Sequence, residues 1–186
     1  RAMEDKRGGQ IFAACAAGAM YRRDMIDLIG FFDEDFFMQC EDTDLSFRAQ
    51  LAGWKVIYAP GARVFHKVGH SIGRATDFNV YHTQRNIEFV RIKNVPASLL
   101  MLYLPQMLVN LLVDFLYFGI KNRRWRAFIR AKRDAVTALP RFLAKRKTIM
   151  REIKKVKASY VRSIITPLLS EDNKNLFAIK LKKFFL

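Results

Sequence analysis

At 186 residues the chain is long enough for one ordinary core and some extra helices, and its two cysteines, Cys15 and Cys40, exclude a disulfide framework. Neither cysteine has company at metal-ligand spacing, so both read as reduced, buried thiols in a cytoplasmic setting. The net charge of +16 is unevenly placed: Lys121 to Arg162 holds 16 Lys and Arg against Asp134 and Glu152, a net +14, while the remainder has 17 basic and 15 acidic residues, a net +2. That asymmetry calls for an anionic partner of the later segment, either nucleic acid or a membrane surface.

In chain order, residues 1–10 read as a polar loop. Ile11 to Met20 is small and apolar, fitting a buried strand in which Gly18 permits a close approach. Arg23 to Ile29 predicts a short helix stopped by Gly30. The next nineteen residues, Gly30 to Arg48, mix six carboxylates with five Phe and a Met. A solvated acidic loop needs no such aromatics, and a plain core segment does not tolerate such acids. The mixture suits a pocket wall, where apolar neighbours exclude water from carboxylates used for proton transfer or cation contact. Thr43 to Ala52 has helical character, with Asp42 as its N-cap, Asp44 in the first turn, an Asp44–Arg48 pair four apart and Gly53 as the stop. A capped surface helix after an acidic turn is the competing description of the same letters.

Lys55 to Ala59 and Ala62 to Phe65 read as short strands around Pro60-Gly61, and the alternation of strand and helix favours an α/β layer fold. His66 ends the second of them; a lone histidine there is commonly structural or exposed. His66 and His70 have the spacing of a metal pair, but Gly69 argues against a helix that would align them. Val80 to Lys93 is a helix candidate carrying Tyr81, Arg85, Asn86 and Arg91. Val95 to Ile120 has the length of a bilayer span with Asp114 as its one charge. Tyr103, Gln106, Asn110, Asp114, Tyr117 and Lys121 nevertheless draw a polar stripe down it, and Pro105 should kink it. An interfacial or shallowly inserted helix follows, with a re-entrant hairpin as the alternative. From Arg124 to Ile165, Trp125, Phe128, Phe142, Ile149 and other apolar residues alternate with Lys and Arg, and Pro140 divides the stretch into two basic amphipathic helices suited to anionic lipid. Phe177, Leu181, Phe184 and Phe185, beside three lysines, repeat the pattern. No helix-turn-helix, RNA-recognition or zinc-finger pattern accompanies the charge, so lipid is preferred over nucleic acid.

Several ordered motifs between Ala14 and about Asn86 carry a resemblance. Gly-Phe-Phe-Asp-Glu-Asp-Phe-Phe, Glu-Asp-x-Asp-Leu-Ser-x-Arg, Ala-Gly-Trp-Lys-Val-Ile-Tyr-Ala-Pro and Val-Phe-His-Lys-Val-Gly together resemble the acceptor half of a family-two glycosyltransferase of the GT-A fold, and within it bacterial rhamnosyltransferases. The resemblance implies an α/β, Rossmann-like GT-A domain over 1–94, lacking its N-terminal nucleotide-binding half, followed over 95–186 by amphipathic membrane-associated α-helices. It implies an inverting transfer of a sugar, with rhamnose a candidate, from a nucleotide-sugar to a polyprenyl-lipid-linked or cell-surface glycan. Asp42 would be the general base and Glu41 would orient the acceptor; Gly18, Ala19, Asp44 and Arg85 would contact substrate, the arginine suiting a diphosphate. His66 would be one ligand of Mg²⁺ or Mn²⁺, with His70 and Ser71 on a loop near the diphosphate. The place implied is the cytoplasmic face of a bacterial inner membrane, peripheral or monotopic, on an anionic surface. Asp33-Glu34-Asp35 has the letters of the family's metal motif but lies in the acceptor-side segment, and Lys121-x-x-Arg124-Trp125 differs from the processive-synthase motif it resembles; neither is assigned. The chain thus reads as a C-terminal portion, inactive alone, and a non-catalytic membrane-bound partner subunit or truncated product is the rival expectation.

Overall fold

The computed structural model describes residues 8–66 and 76–165. In chain order these form β1 (Gly9–Ile11), α1 (Arg23–Ile29), α2 (Glu41–Leu51), β2 (Val56–Tyr58), α3 (Asp77–Asn94), α4 (Ala97–Asp114), α5 (Trp125–Thr137), α6 (Leu139–Thr148) and α7 (Ala158–Ile164). Short 3-10 turns lie at Ala16–Gly18 and Glu34–Phe36, and π-helical turns at Phe115–Lys121 and Ile149–Ile153.

Most local expectations meet their elements. Gly30 (φ 75°) ends α1, and Gly53 (φ 89°) follows α2, both in the region glycine enters at little cost. Thr76 caps α3 by accepting from the Asn79 N–H, and Pro96 marks the break before α4. Pro140 sits in the first turn of α6, where its missing N–H costs nothing. Gly119 is required by packing: a Cβ there would lie 2.9 Å from the Phe115 ring.

The expectation of α/β layers is met in part, the described residues being mostly helical. The one sheet among the described residues has two antiparallel strands, with Gly9 opposite Tyr58 and Ile11 opposite Val56; everything else is helix, turn or irregular. Ile11 to Met20 is not a strand because α2 takes its backbone groups instead. Gln50 donates to the carbonyls of Ile11 and Phe12, Ser46 accepts from the Ala14 N–H, and Asp42 accepts from the Ala16 N–H. Ala62 to Phe65 is exposed, irregular chain. Helix α4 runs through Pro105 to Asp114.

The core lies across the expected division at residue 94. Phe36 from the acidic turn packs edge-on to Phe89 of α3, and Phe89 stacks on Phe142 of α6 with ring centres 3.8 Å apart. Phe128, Ala131, Ala135, Phe142 and Ile149 are buried, so part of the apolar surface of α5 and α6, expected on lipid, lies against α3, while Trp125, Ile129, Val136 and Leu143 stay exposed. A protein helix offers the same hydrophobic gain as a bilayer, and it is adjacent.

Helix α4 is arranged the other way. Tyr103, Gln106 and Asn110 from its polar stripe turn toward the protein, and Asp114 accepts from Gln84. Met101, Leu102, Leu104, Leu108, Val109, Leu111 and Leu112 are left exposed. Residues 97–121 are long and apolar enough to cross a membrane by length and composition. Phe177, Leu181, Phe184 and Phe185 lie outside the described residues.

Candidate active site

Helix α2 is buried nearly all round, and each of its faces has a separate task. Leu45, Ala49 and Ala52 meet α1 through Met25 and Ile29, while Phe47 and Leu51 enter the main core. Asp42, Ser46 and Gln50, spaced four apart, form a polar row that grips the segment from Ile11 to Ala16. Tyr160 of α7 donates its hydroxyl to Gln50 Oε1 at 2.8 Å and so holds the end of that row. The row was legible only as polar residues at helical spacing; their partners are far along the chain.

The fourth face carries Asp44 and Arg48. Asp44 is fully buried and makes the expected pair with Arg48 (Nε to Oδ2, 2.9 Å). Its Oδ2 also accepts from Lys93, and its Oδ1 accepts from Asn94 at 2.8 Å. Expected at the substrate, Asp44 instead lies in the interior with both oxygens engaged. Arg48 donates onward to the carbonyls of Ile29, Gly30 and Phe31, which fixes the turn leading into the acidic stretch.

That stretch is held in an unusual conformation. Phe37, Gln39 and Cys40 all have positive φ, at 61°, 67° and 66°. Three non-glycine residues in that region store strain of about 1–3 kcal/mol each, which persists only where the surroundings over-determine it. Asn86 supplies much of that constraint. Its buried Nδ2 lies 2.7–2.8 Å from the carbonyls of Phe36, Met38 and Gln39, three acceptors sharing two hydrogens. Arg85 donates to the carbonyls of Asp35 and Phe36 and lies over the Tyr81 and Phe89 rings. With Arg141 and Asp134 it also lines a polar cavity of about 460 Å³. Arg85 and Asn86 thus build the turn from behind.

The turn delivers Glu41 and Asp42 to the first positions of α2. Cys40, not Asp42, is the N-cap residue, a correction to the sequence expectation. The left-handed Cys40 starts the helix one residue before the Asp42 position, so Asp42 lies inside the first turn. There its Oδ1 accepts from the Thr43 N–H at 2.7 Å and the Thr43 hydroxyl at 3.3 Å, and its Oδ2 from the Ala16 N–H at 3.2 Å. Glu41 is half-buried, and its Oε2 has no hydrogen-bond partner among the described residues; the same holds for the Tyr21 hydroxyl. Burial pushes the Glu41 carboxyl above the usual carboxylate range, and Asp42 adds to the shift. Burial likewise raises the Tyr21 hydroxyl, followed by the charges of Asp42, Cys15 and Glu41, so these four groups share one electrostatic neighbourhood. Cys40 is pushed up to about 12 by burial and the same two carboxylates, which makes it an inert thiol. Cys15 is exposed, contrary to expectation.

Gly18 closes the 3-10 turn whose Ala16 N–H reaches Asp42, its own N–H bonding the Cys15 carbonyl. A Cβ on Gly18 would come within 3.1 Å of Val64 Cγ2, so close packing accounts for the glycine. Ala19 follows, partly buried. His66, two residues beyond Val64, is exposed, and no group of three His, Cys, Asp or Glu side chains among the described residues could hold a metal ion. His66 alone does not make a metal site; His70 and Ser71 lie outside the described residues.

A pair of neighbouring carboxylates opens a strongly built helix, one oriented by two backbone N–H groups and the other with an unpartnered oxygen. That arrangement suits proton abstraction from a bound hydroxyl. The glycosyl transferase family group 2 pattern matches residues 1–117, and the chain belongs to that family. Its relatives include the N-acetylglucosaminyl-diphospho-decaprenol L-rhamnosyltransferase of Mycobacterium tuberculosis, in strains CDC 1551 / Oshkosh and ATCC 25618 / H37Rv, each 46% identical over 55 residues. Those residues are 30% of this chain and 18% of the relative, so the alignment spans under a fifth of the relatives' length. No solved structure matches the chain.

Proposed function

We propose that the chain forms the acceptor side of an inverting glycosyltransferase that moves a sugar from a nucleotide-sugar to a hydroxyl of a lipid-linked glycan. The observation carrying this reading is the Glu41–Asp42 pair: Asp42 held at both oxygens by backbone N–H groups, and beside it the buried, unpartnered Oε2 of Glu41. Asp42 takes the proton of the acceptor hydroxyl as that oxygen attacks the anomeric carbon; the bond to the nucleoside diphosphate breaks, and configuration inverts. Glu41 Oε2 and the Tyr21 hydroxyl offer hydrogen bonds that orient the acceptor sugar. Rhamnose as the sugar, and an acceptor on a polyprenyl diphosphate, follow the relative's name. Gly18 and Ala19 border the sugar, and Arg85 serves by fixing the turn.

A Mg²⁺ or Mn²⁺ ion belongs to the same reading as a counter-charge for the leaving diphosphate. The described residues do not assemble its ligand set, so no step is assigned to it. The exposed apolar face of α4 supports contact with a lipid surface; the cytoplasmic face of a bacterial inner membrane, peripheral or monotopic, is the place this reading gives it, because the nucleotide-sugar donor is there.

Asp42→Asn, made in the polypeptide as its gene encodes it, should lower transfer by about 10²–10⁴-fold, the usual contribution of a positioned base, while donor binding is retained. Transfer at the unmodified rate would sink the assignment.

A further inference from the structure

We propose that the cavity between α2, α3, α4 and the end of α7 seats the first isoprene units of the lipid-linked acceptor, with the lipid's diphosphate at Arg91. This rests on the transferase reading above and names where its acceptor is gripped. The cavity holds about 320 Å³, at the small end of ligand pockets, which run from about 300 to 1,000 Å³. Phe47, Val90, Met107 and Ile165 make much of its wall apolar, and the one charged lining residue among the described residues is a cation, Arg91. That arginine gives Nη1 to Glu88 at 3.0 Å; a guanidinium has five N–H donors, so capacity for a diphosphate remains.

An isoprenyl diphosphate is the lipid of the proposed acceptor, and two further features relate the cavity to it. The wall includes Thr43, whose hydroxyl donates to Asp42 Oδ1 at 3.3 Å, so a lipid seated here lies one hydrogen bond from the carboxylate that receives the proton. The cavity's α4 wall is the inner stripe of Gln106 and Asn110, while the opposite face of that helix is bare and apolar. The helix thus separates a lipid seated in the cavity from Leu104, Leu108 and Leu111 on its outer face.

The test is photo-labelling of this chain in detergent micelles with farnesyl diphosphate carrying a diazirine on its terminal isoprene, the cross-links being mapped by mass spectrometry. We expect saturable labelling at Phe47, Val90 and Met107, competed by unlabelled farnesyl diphosphate and not by phosphatidylglycerol. Gln106→Trp, which fills the cavity, should cut it about tenfold, a loss of about 1.4 kcal/mol; Leu108→Ser on the outer face should leave it unchanged. Labels scattered over Met101, Leu108 and Leu112, equal competition by phosphatidylglycerol, or no saturable labelling would each overturn the proposal. The wild-type map decides even if Gln106→Trp fails to fold, which circular dichroism would reveal. Because the probe bears no sugar, labels elsewhere with transfer intact reject the cavity alone. Labels in the cavity with no transfer by the full natural polypeptide reject the transferase reading instead.

Discussion

At Glu41, stability conflicts with the role proposed for it. Its Oε2 is buried without a partner, and burial raises the carboxyl's pKa. A carboxyl with a raised folded pKa binds more protons in the native state than in the unfolded one, so it subtracts stability as pH rises through the carboxylate range. Glu41→Gln removes the buried charge and keeps the shape. Its Tm should therefore exceed that of the wild type at pH 7 and converge on it near pH 4, while transfer falls. A Tm at pH 7 at or below the wild-type value would show that Glu41 is not strained by its site. Asp44 is the opposite case. The sequence lists it with Asp42 as one acidic motif, yet the fold separates the two by burial, giving Asp44 to three structural partners and leaving Asp42 beside the Ala16 turn.

Between elements, charges alternate along one line. Arg48 and Asp44 of α2 meet Lys93 of α3; Lys93 reaches Asp33 of the acidic turn, and Lys145 of α6 joins Asp33 to Asp35, which also pairs with Arg141. Burial alone would raise the Asp33 pKa, but hydrogen bonds from Lys145 and Lys93 outweigh it and bring it down to about 2. A depressed folded pKa adds stability above the ordinary value of 3.8 and loses it as pH falls through about 2. Lys145→Met should therefore lower Tm at neutral pH and make the loss of Tm between about pH 4 and pH 2 shallower than in the wild type. An unchanged acid slope in thermal scans would mean that Lys145 does not set the Asp33 charge. By tying the turn to α6, this line makes the later helices part of the frame under Glu41 and Asp42.

Across the molecule, the membrane location proposed above would rest on basic and apolar surfaces divided differently from what composition suggests. Part of the +14 segment is spent internally: Lys132 on Glu88, Lys145 on the acidic turn, and Arg146 on the carbonyls of Ile92 and Val95. Among the described residues α4 carries seven exposed large apolar residues, and α5 and α6 carry Trp125, Ile129, Val136 and Leu143. A leucine moved from water into lipid contributes about 1.5–3 kcal/mol, against about 1 kcal/mol for each basic residue near an anionic surface. Vesicle co-sedimentation should thus persist in 1 M salt, where screening acts within about 3 Å. Leu108→Ser combined with Leu112→Ser should weaken it by about 3–6 kcal/mol. Binding abolished by salt and indifferent to the leucines would assign the association to α5 and α6.

The sequence by itself determined the helices from α1 to α6, their glycine and proline stops, the Asp44–Arg48 pair and the family, because each of these depends on neighbours a few residues apart. Tertiary structure decided the rest. Ile11 to Met20 has strand-like letters, but the Asp42–Ser46–Gln50 row satisfies its backbone first. Arg85 and Asn86 have letters suited to binding, but the carbonyls they hold lie about fifty residues away. The polar stripe of α4 gave its periodicity and not its direction, since a helix pattern shows that two faces differ and not which one meets the protein. Here the polar face turned inward because Gln84 and the cavity lining were there to meet it.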